Sequence, residues 1–194
     1  MRVEVIRTER LFDGFFTLDR ATLRHETPGG VMSPEVVRLN VERGDGAAAL
    51  LVNRDNNSVV LTRQFRYAAW LRGDGGMMLE IPAGTVPKGV APIQNARSEL
   101  LEEVGYRPAR LKKLMTFYAT PGTTSERIHL FYGEVNNRHK IAAGGGLDSE
   151  HEFIEVVEMP IARALRLLKQ GKLRDGKTIV AMQWLAERID GLLR

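Results

Sequence analysis

The 194-residue chain contains no cysteine. That excludes disulfides and thiolate metal sites, and it fits a reducing compartment. No apolar run is long enough to span a membrane. The opening stretch, MRVEVIRTER, alternates apolar and polar residues and lacks the apolar core of a signal peptide. These absences lead to the expectation of a cytoplasmic protein with no membrane partner. Lysine and arginine form no stripe, so nucleic acid is not an expected partner. The formal charge of +4 still favours small anionic ligands such as phosphate esters. The four histidines, His25, His129, His139 and His151, have no ligand-like spacing. His129 alternates within an apolar run and reads as a satisfied core residue.

What is present is ordinary for a globular protein: 43% hydrophobic and 27% charged residues, in a length that suits one substantial core. Residues 2–25 read as two strands around the turn Asp13-Gly14, and residues 34–42 as a third alternating run. Residues 46–64 form a hairpin around RDNN. Segment 77–82 is a short strand leading into the Gly/Pro-rich loop AGTVPKG. Residues 91–104 then have a helical period: Ile93, Ala96, Leu100 and Val104 make an apolar stripe, and Gly105 stands where a left-handed cap belongs. Strands are expected near 111–119, 127–135 and 152–158, with a polar, Gly-rich surface loop at 136–150. Helices are expected at 160–170, stopped by Gly171, and at about 177–193. Strands and helices without regular alternation predict an α+β (mixed α/β) fold. Residues 1–42 are expected to form a small antiparallel subdomain ahead of a main body, 43–194.

Glu99, Glu102 and Glu103 are the chemically informative cluster. At i, i+3 and i+4 they fall within about 100° of one another around the helix, beside the apolar stripe. A solvated acidic face is the plain reading. Two penalties oppose it: the helix C-terminus disfavours anions by about 0.3–1 kcal/mol each, and the carboxylates repel one another without an intervening base. A hard divalent cation, Mg²⁺ or Mn²⁺, would offset both. The loop before the helix, bracketed by Gly84 and Gly89, permits close backbone approach to a ligand, and the Ala83 carbonyl is a candidate further oxygen ligand.

The stretch EIPAGTVPKGVAPIQNARSELLEEVGY, residues 80–106, resembles the Nudix box. Gly84, Glu99, Leu100, Glu102, Glu103, Gly105 and Tyr106 match it in register. Two positions depart: Val90 stands where the first Glu of the box belongs, and Ser98 where its Arg belongs. The flanking RQFR (63–66), LEIPAG and ATPGTTSE (119–126) are similar to the ADP-ribose pyrophosphatase branch. Pro121, fifteen residues past Tyr106, lies where that branch often carries a proline. The C-terminal half, AGGGLDSEHEFIEVVEMP and GKLRDGKTIV, is most similar to the GDP-mannose pyrophosphatases within that branch.

The resemblance implies a Nudix fold, with a mixed central sheet between helices, and an N-terminal antiparallel sheet serving a homodimer. It implies hydrolysis of the diphosphate of a nucleotide sugar, GDP-mannose or ADP-ribose, with Mg²⁺ or Mn²⁺ as cofactor. Glu99 and Glu103 would be metal ligands together with the Ala83 carbonyl, and Glu102 a ligand directly or through water. The base is expected from a later loop, at Glu152 or Glu150; Glu152 is preferred because it abuts the following strand. Arg63 and Arg66, three apart on a strand, cannot both face one side, and Arg66 is the preferred phosphate contact. Glu80 is expected to contact the sugar or support its neighbours, and Pro121 to border the substrate. Glu126, His151, Tyr67 and Trp70 are weaker candidates for substrate contact. The family's first Glu and the Arg of the box are thought to pair, so losing both at Val90 and Ser98 reads as one coupled change, with Arg97 as a partial replacement. That change also motivates a second reading, a weakened Nudix module that binds nucleotide as a regulator. A third reading, hydrolysis of capped RNA or a dinucleoside polyphosphate, lacks a basic stripe to support the RNA.

Overall fold

The structure is a computed structural model that describes residues 1–147, 149 and 151–189. It divides into two compact units. The first is Met1–Asp45 with Tyr118–Arg127; the second is Gly46–Phe117 with the chain from Ile128 onward. The sequence reading places the boundary after residue 42 and keeps 118–127 with the main body, whereas the first unit here includes that segment. Segment 118–127 belongs to the first unit because it hydrogen-bonds the end of that unit's last strand: the Val41 N–H donates to Thr123 O at 2.9 Å and the Ser125 N–H to Val41 O at 3.2 Å. Arg127 adds a bidentate pair to Asp45.

The first unit is a three-stranded antiparallel sheet of β1 (Val3–Asp13), β2 (Thr17–His25) and β3 (Val36–Glu42), in that order. Cross-strand ion pairs such as Glu9–Arg20 and Arg24–Glu35 tie it together. Its apolar side chains are unusually open: Val3, Val5, Val37 and Leu39 are all more than half exposed.

The second unit is built on a mixed sheet. β4 (Gly46–Asn53) and β5 (Ser58–Phe65) form the expected hairpin, and β6 (Met77–Glu80) continues from β5. Between β5 and β6 a short helix, α1 (Tyr67–Leu71), intervenes; no amphipathic period announces a five-residue helix. The loop expected at AGTVPKG is partly a strand, β7 (Ala83–Thr85), because its backbone pairs with Gly46–Ala48 of β4. After α2 (Pro92–Val104) come β8 (Lys112–Tyr118), β9 (Arg127–Val135), β10 (Glu155–Pro160), α3 (Ile161–Lys169) and α4 (Gly176–Ala186). The strand order is β10-β5-β4-β9-β8, with β9 parallel to β4.

All eight residues of β4 are buried, so both faces of the sheet are covered. Ala48, Leu50 and Val52 pack with Ala164, Ala181, Met182 and Leu185 of α3 and α4. Ala47, Ala49 and Leu51 pack with Ala96, Leu100 and Val104 of α2. Each buried Leu or Val contributes roughly 1.5–3 kcal/mol relative to exposure. The stripe read from the sequence is therefore the face that fastens α2 to the sheet. Gly105 ends α2 at φ 75°, and Gly171 follows α3 at φ 66°.

Segment 136–150 departs from the expected surface loop. Asn137–His139 make a 3₁₀ turn capped by the Asn136 side chain. Residues 144–147 are half-buried, because their backbone docks on the end of α2: the Gly145 N–H donates to Glu103 O at 2.9 Å and the Gly146 N–H to Glu102 O at 3.1 Å. No helix among the described residues is long and apolar enough to cross a membrane.

Candidate active site

The packing of α2 turns its neighbouring face inward. Glu103 follows the apolar stripe closely enough to be only 2% exposed. Its Oε2 accepts the Ala83 N–H at 3.0 Å. Burial pushes its carboxyl up to about 8; the nearby charges of Glu99 and Glu152 push the same way, against the Ala83 N–H and the Arg66 guanidinium. The site therefore holds a carboxyl that is costly to ionise.

Glu99, one turn earlier, takes the Asn95 amide at 3.4 Å. Its carboxylate lies so close over Gly84 that a Cβ at position 84 would overlap it. Only glycine fits there, which is the physical reason for that residue in the motif. Glu102 is half-buried, and its side chain forms no hydrogen bond or ion pair among the described residues. Glu152 approaches from the docked loop, its Oε2 accepting the Leu147 N–H at 3.3 Å. The structure thus brings Glu99, Glu103, Glu152, Ala83 and Arg66 together. Glu150 lies outside the described residues.

Arg66 sits just past β5. Its Nε and Nη2 donate to the two oxygens of Glu80 at 2.8 and 2.9 Å. Glu80 is 3% exposed; burial would raise its pKa, but Arg66 and Lys177 outweigh that and hold it below the usual carboxylate range. Lys177 reaches Glu80 at 3.3 Å and Asp175 at 2.7 Å. Burial would lower the Lys177 ammonium, yet Asp175 and Glu80 leave it raised. Arg63, by contrast, pairs with Glu155 across the β5–β10 ladder at 3.0 Å and makes no ion pair with Glu80.

Pro121 and Glu126 belong to the first unit, where Glu126 pairs with Arg43 at 3.6 Å. Tyr67 and Trp70 stack on each other at 5.8 Å and stay exposed. His129 is buried against Thr116, its Nδ1 3.0 Å from the hydroxyl. His151, beside Glu152, is exposed. Val90 and Ser98 both lie at the surface, and Arg97 donates to Pro108 O at 2.9 Å.

Lys177 and Asp175 escaped the sequence reading. One signal pointed there: Asp175 caps α4, accepting the Thr178 N–H at 2.9 Å, the pattern of an acidic residue three before the first free helical amide. That cap aims Lys177 at Glu80, and the Thr178 hydroxyl accepts the Ile81 N–H at 2.8 Å.

Among the described residues no three carboxylate or imidazole groups converge to coordination geometry. The donor set nonetheless fits a hard divalent cation. It is all oxygen, it crowds like charges, and its most buried member resists ionisation alone. A family model described as NUDIX domain matches residues 42–182. The chain belongs to the Nudix family. The Nudix match spans the central sheet, α2 and most of α4. Full-length relatives agree. The GDP-mannose pyrophosphatase of Cronobacter sakazakii (strain ATCC BAA-894) is 40% identical over 192 residues, covering 97% of each chain. That of Enterobacter sp. (strain 638) is 37% identical, covering 100% of this chain and 98% of its own. That of Shigella flexneri is 38% identical over 95% of each.

Proposed function

We propose that this Nudix protein hydrolyses the diphosphate of a nucleotide sugar, with GDP-mannose the leading substrate and ADP-ribose the next. The observation that carries the reading is the buried Glu103 carboxyl with the Glu99 and Glu152 carboxylates and the Arg66 guanidinium near enough to act on it. The similarity to GDP-mannose pyrophosphatases along the whole chain supports the choice of substrate.

Glu99, Glu103 and the Ala83 carbonyl would hold Mg²⁺ or Mn²⁺, with Glu102 assisting. The ion supplies neutralisation of the diphosphate charge and activation of the attacking water. Glu152 takes the proton of that water as general base; its Oε2 accepts the Leu147 N–H, and among the described residues its Oε1 has no hydrogen-bond partner. The water oxygen bonds to one phosphorus, the anhydride P–O bond breaks, and the products are a nucleoside monophosphate and a sugar phosphate. Arg66, held by Glu80, offers its remaining N–H groups to a phosphate. The exposed apolar residues of the N-terminal sheet support a homodimer formed through that unit.

Incubation with Mg²⁺ and a panel of GDP-mannose, ADP-ribose, other nucleotide sugars and nucleoside triphosphates tests the substrate. Monophosphate release strongest from GDP-mannose is expected. Tight nucleotide binding without turnover of any of them would favour a regulatory module instead.

A further inference from the structure

The end of α2, like that of any helix, leaves its last carbonyls without helical partners. The turn at Gly105 satisfies two of them locally: the Tyr106 N–H reaches Leu100 O at 3.0 Å and the Gly105 N–H reaches Leu101 O at 3.1 Å. The next two carbonyls, those of Glu102 and Glu103, are satisfied from outside, by Gly146 and Gly145. Three consecutive glycines make this possible. Gly144, Gly145 and Gly146 have φ of 75°, 114° and 86°, values that L residues rarely adopt. A Cβ on Gly144 would lie 2.7 Å from Glu103 O, and one on Gly146 would lie 2.6 Å from the Cβ of Glu152. From this foot the chain closes back on itself. The Ile154 N–H donates to Gly145 O at 3.2 Å, the Glu152 N–H to Leu147 O at 3.3 Å, and the Leu147 N–H to the Glu152 carboxylate at 3.3 Å.

We propose that Gly144–Gly146 form a strap that positions Glu152 by fastening its loop to the main chain of the metal-binding turn. Glu102 and Glu103 would then serve twice: their side chains as the proposed metal ligands, and their carbonyls as the anchor that places the loop of the base. The glycines are positioning residues, acting through Glu152. This rests on the reading of Glu152 as the base.

The test is a double-mutant cycle on the full chain with GDP-mannose and Mg²⁺, using Gly146→Ala, Glu152→Gln and the combination. Manganese affinity is measured in parallel by electron paramagnetic resonance. Gly146→Ala should lower kcat about ten- to a hundredfold, the scale set by misplacing a base, with KM and Mn²⁺ affinity held within about twofold. In the Glu152→Gln background the same change should cost nothing further. An equal loss of kcat in both backgrounds, or a fall in Mn²⁺ affinity matching the fall in kcat, would overturn the strap. Gly145→Ala repeats the cycle where Gly146→Ala fails to fold: a Cβ there meets only Ile154 O, at 3.7 Å, so its effect is confined to the backbone angle. Wild-type turnover by Glu152→Gln alone would remove the base assignment and the proposal with it, a result distinct from a broken strap.

Discussion

Glu103→Gln should stabilise the metal-free chain, and increasingly so as the pH rises. Glu103 is buried beside Glu99 and Glu152, and its carboxyl is raised from 4.5 to about 8. A raised carboxyl binds its proton more tightly folded than unfolded. Its contribution to stability is therefore fully present below pH 4.5 and is lost as the pH climbs through about 8. At about 1.4 kcal/mol per pH unit, the loss approaches roughly 3–5 kcal/mol. That is a large part of a stability that typically totals about 5–15 kcal/mol. Glutamine keeps an oxygen for the Ala83 N–H and carries no charge, so the variant escapes the loss. The assay is thermal unfolding of both proteins in chelator across pH 5, 7 and 9. The other titrating groups are common to the two, so the difference reports Glu103 together with its coupling to Glu99 and Glu152. The gap should be small at pH 5 and open to about 6–20 °C at pH 9. Adding Mg²⁺ should raise the wild type and leave the variant nearly unmoved. Parallel pH profiles for the two proteins in chelator would refute the reasoning.

Gly84→Ala forces its Cβ into the Glu99 carboxylate, so the Mg²⁺ concentration for half-maximal activity should rise about ten- to a hundredfold; a Mg²⁺ titration unchanged from wild type would contradict this. Arg66→Ala strips the buried Glu80 of its bidentate partner but leaves Lys177, and should lower stability by roughly 1.5–3 kcal/mol, a melting-temperature drop of about 3–12 °C that calorimetry checks. Val37→Glu with Leu39→Glu places charge on the exposed apolar surface of β3; sedimentation should show a dimer for the wild type and a monomer for the double variant.

How far the sequence was legible depends on whether a feature is local. The hairpins, the stripe Ala96-Leu100-Val104 and the caps at Gly105 and Gly171 follow from spacing and from backbone preferences within a few residues. The α+β class and the central sheet between helices, implied by the Nudix resemblance, are what the structure has. The strand at Ala83–Thr85 and the docked loop at 144–147 were not legible, because each depends on a backbone partner distant in sequence: β4 for one, the end of α2 for the other. The site divides the same way. Helical spacing alone groups the three glutamates. Only packing shows that Glu103 is the buried member, that Arg66 is locked to Glu80, and that Lys177 arrives from another helix. Glycines in the run AGGG suggested a loose surface, whereas their positive φ angles serve close docking.

The most direct measurement is the rate of GMP release from GDP-mannose in saturating Mg²⁺ by the wild type and by Glu103→Gln at matched folded concentration. Mg²⁺-dependent turnover is expected in the wild type, reduced about a hundredfold or more in the variant, which lacks the carboxylate proposed to hold the ion. Turnover that persists in Glu103→Gln, or that needs no divalent ion in the wild type, would contradict that proposal.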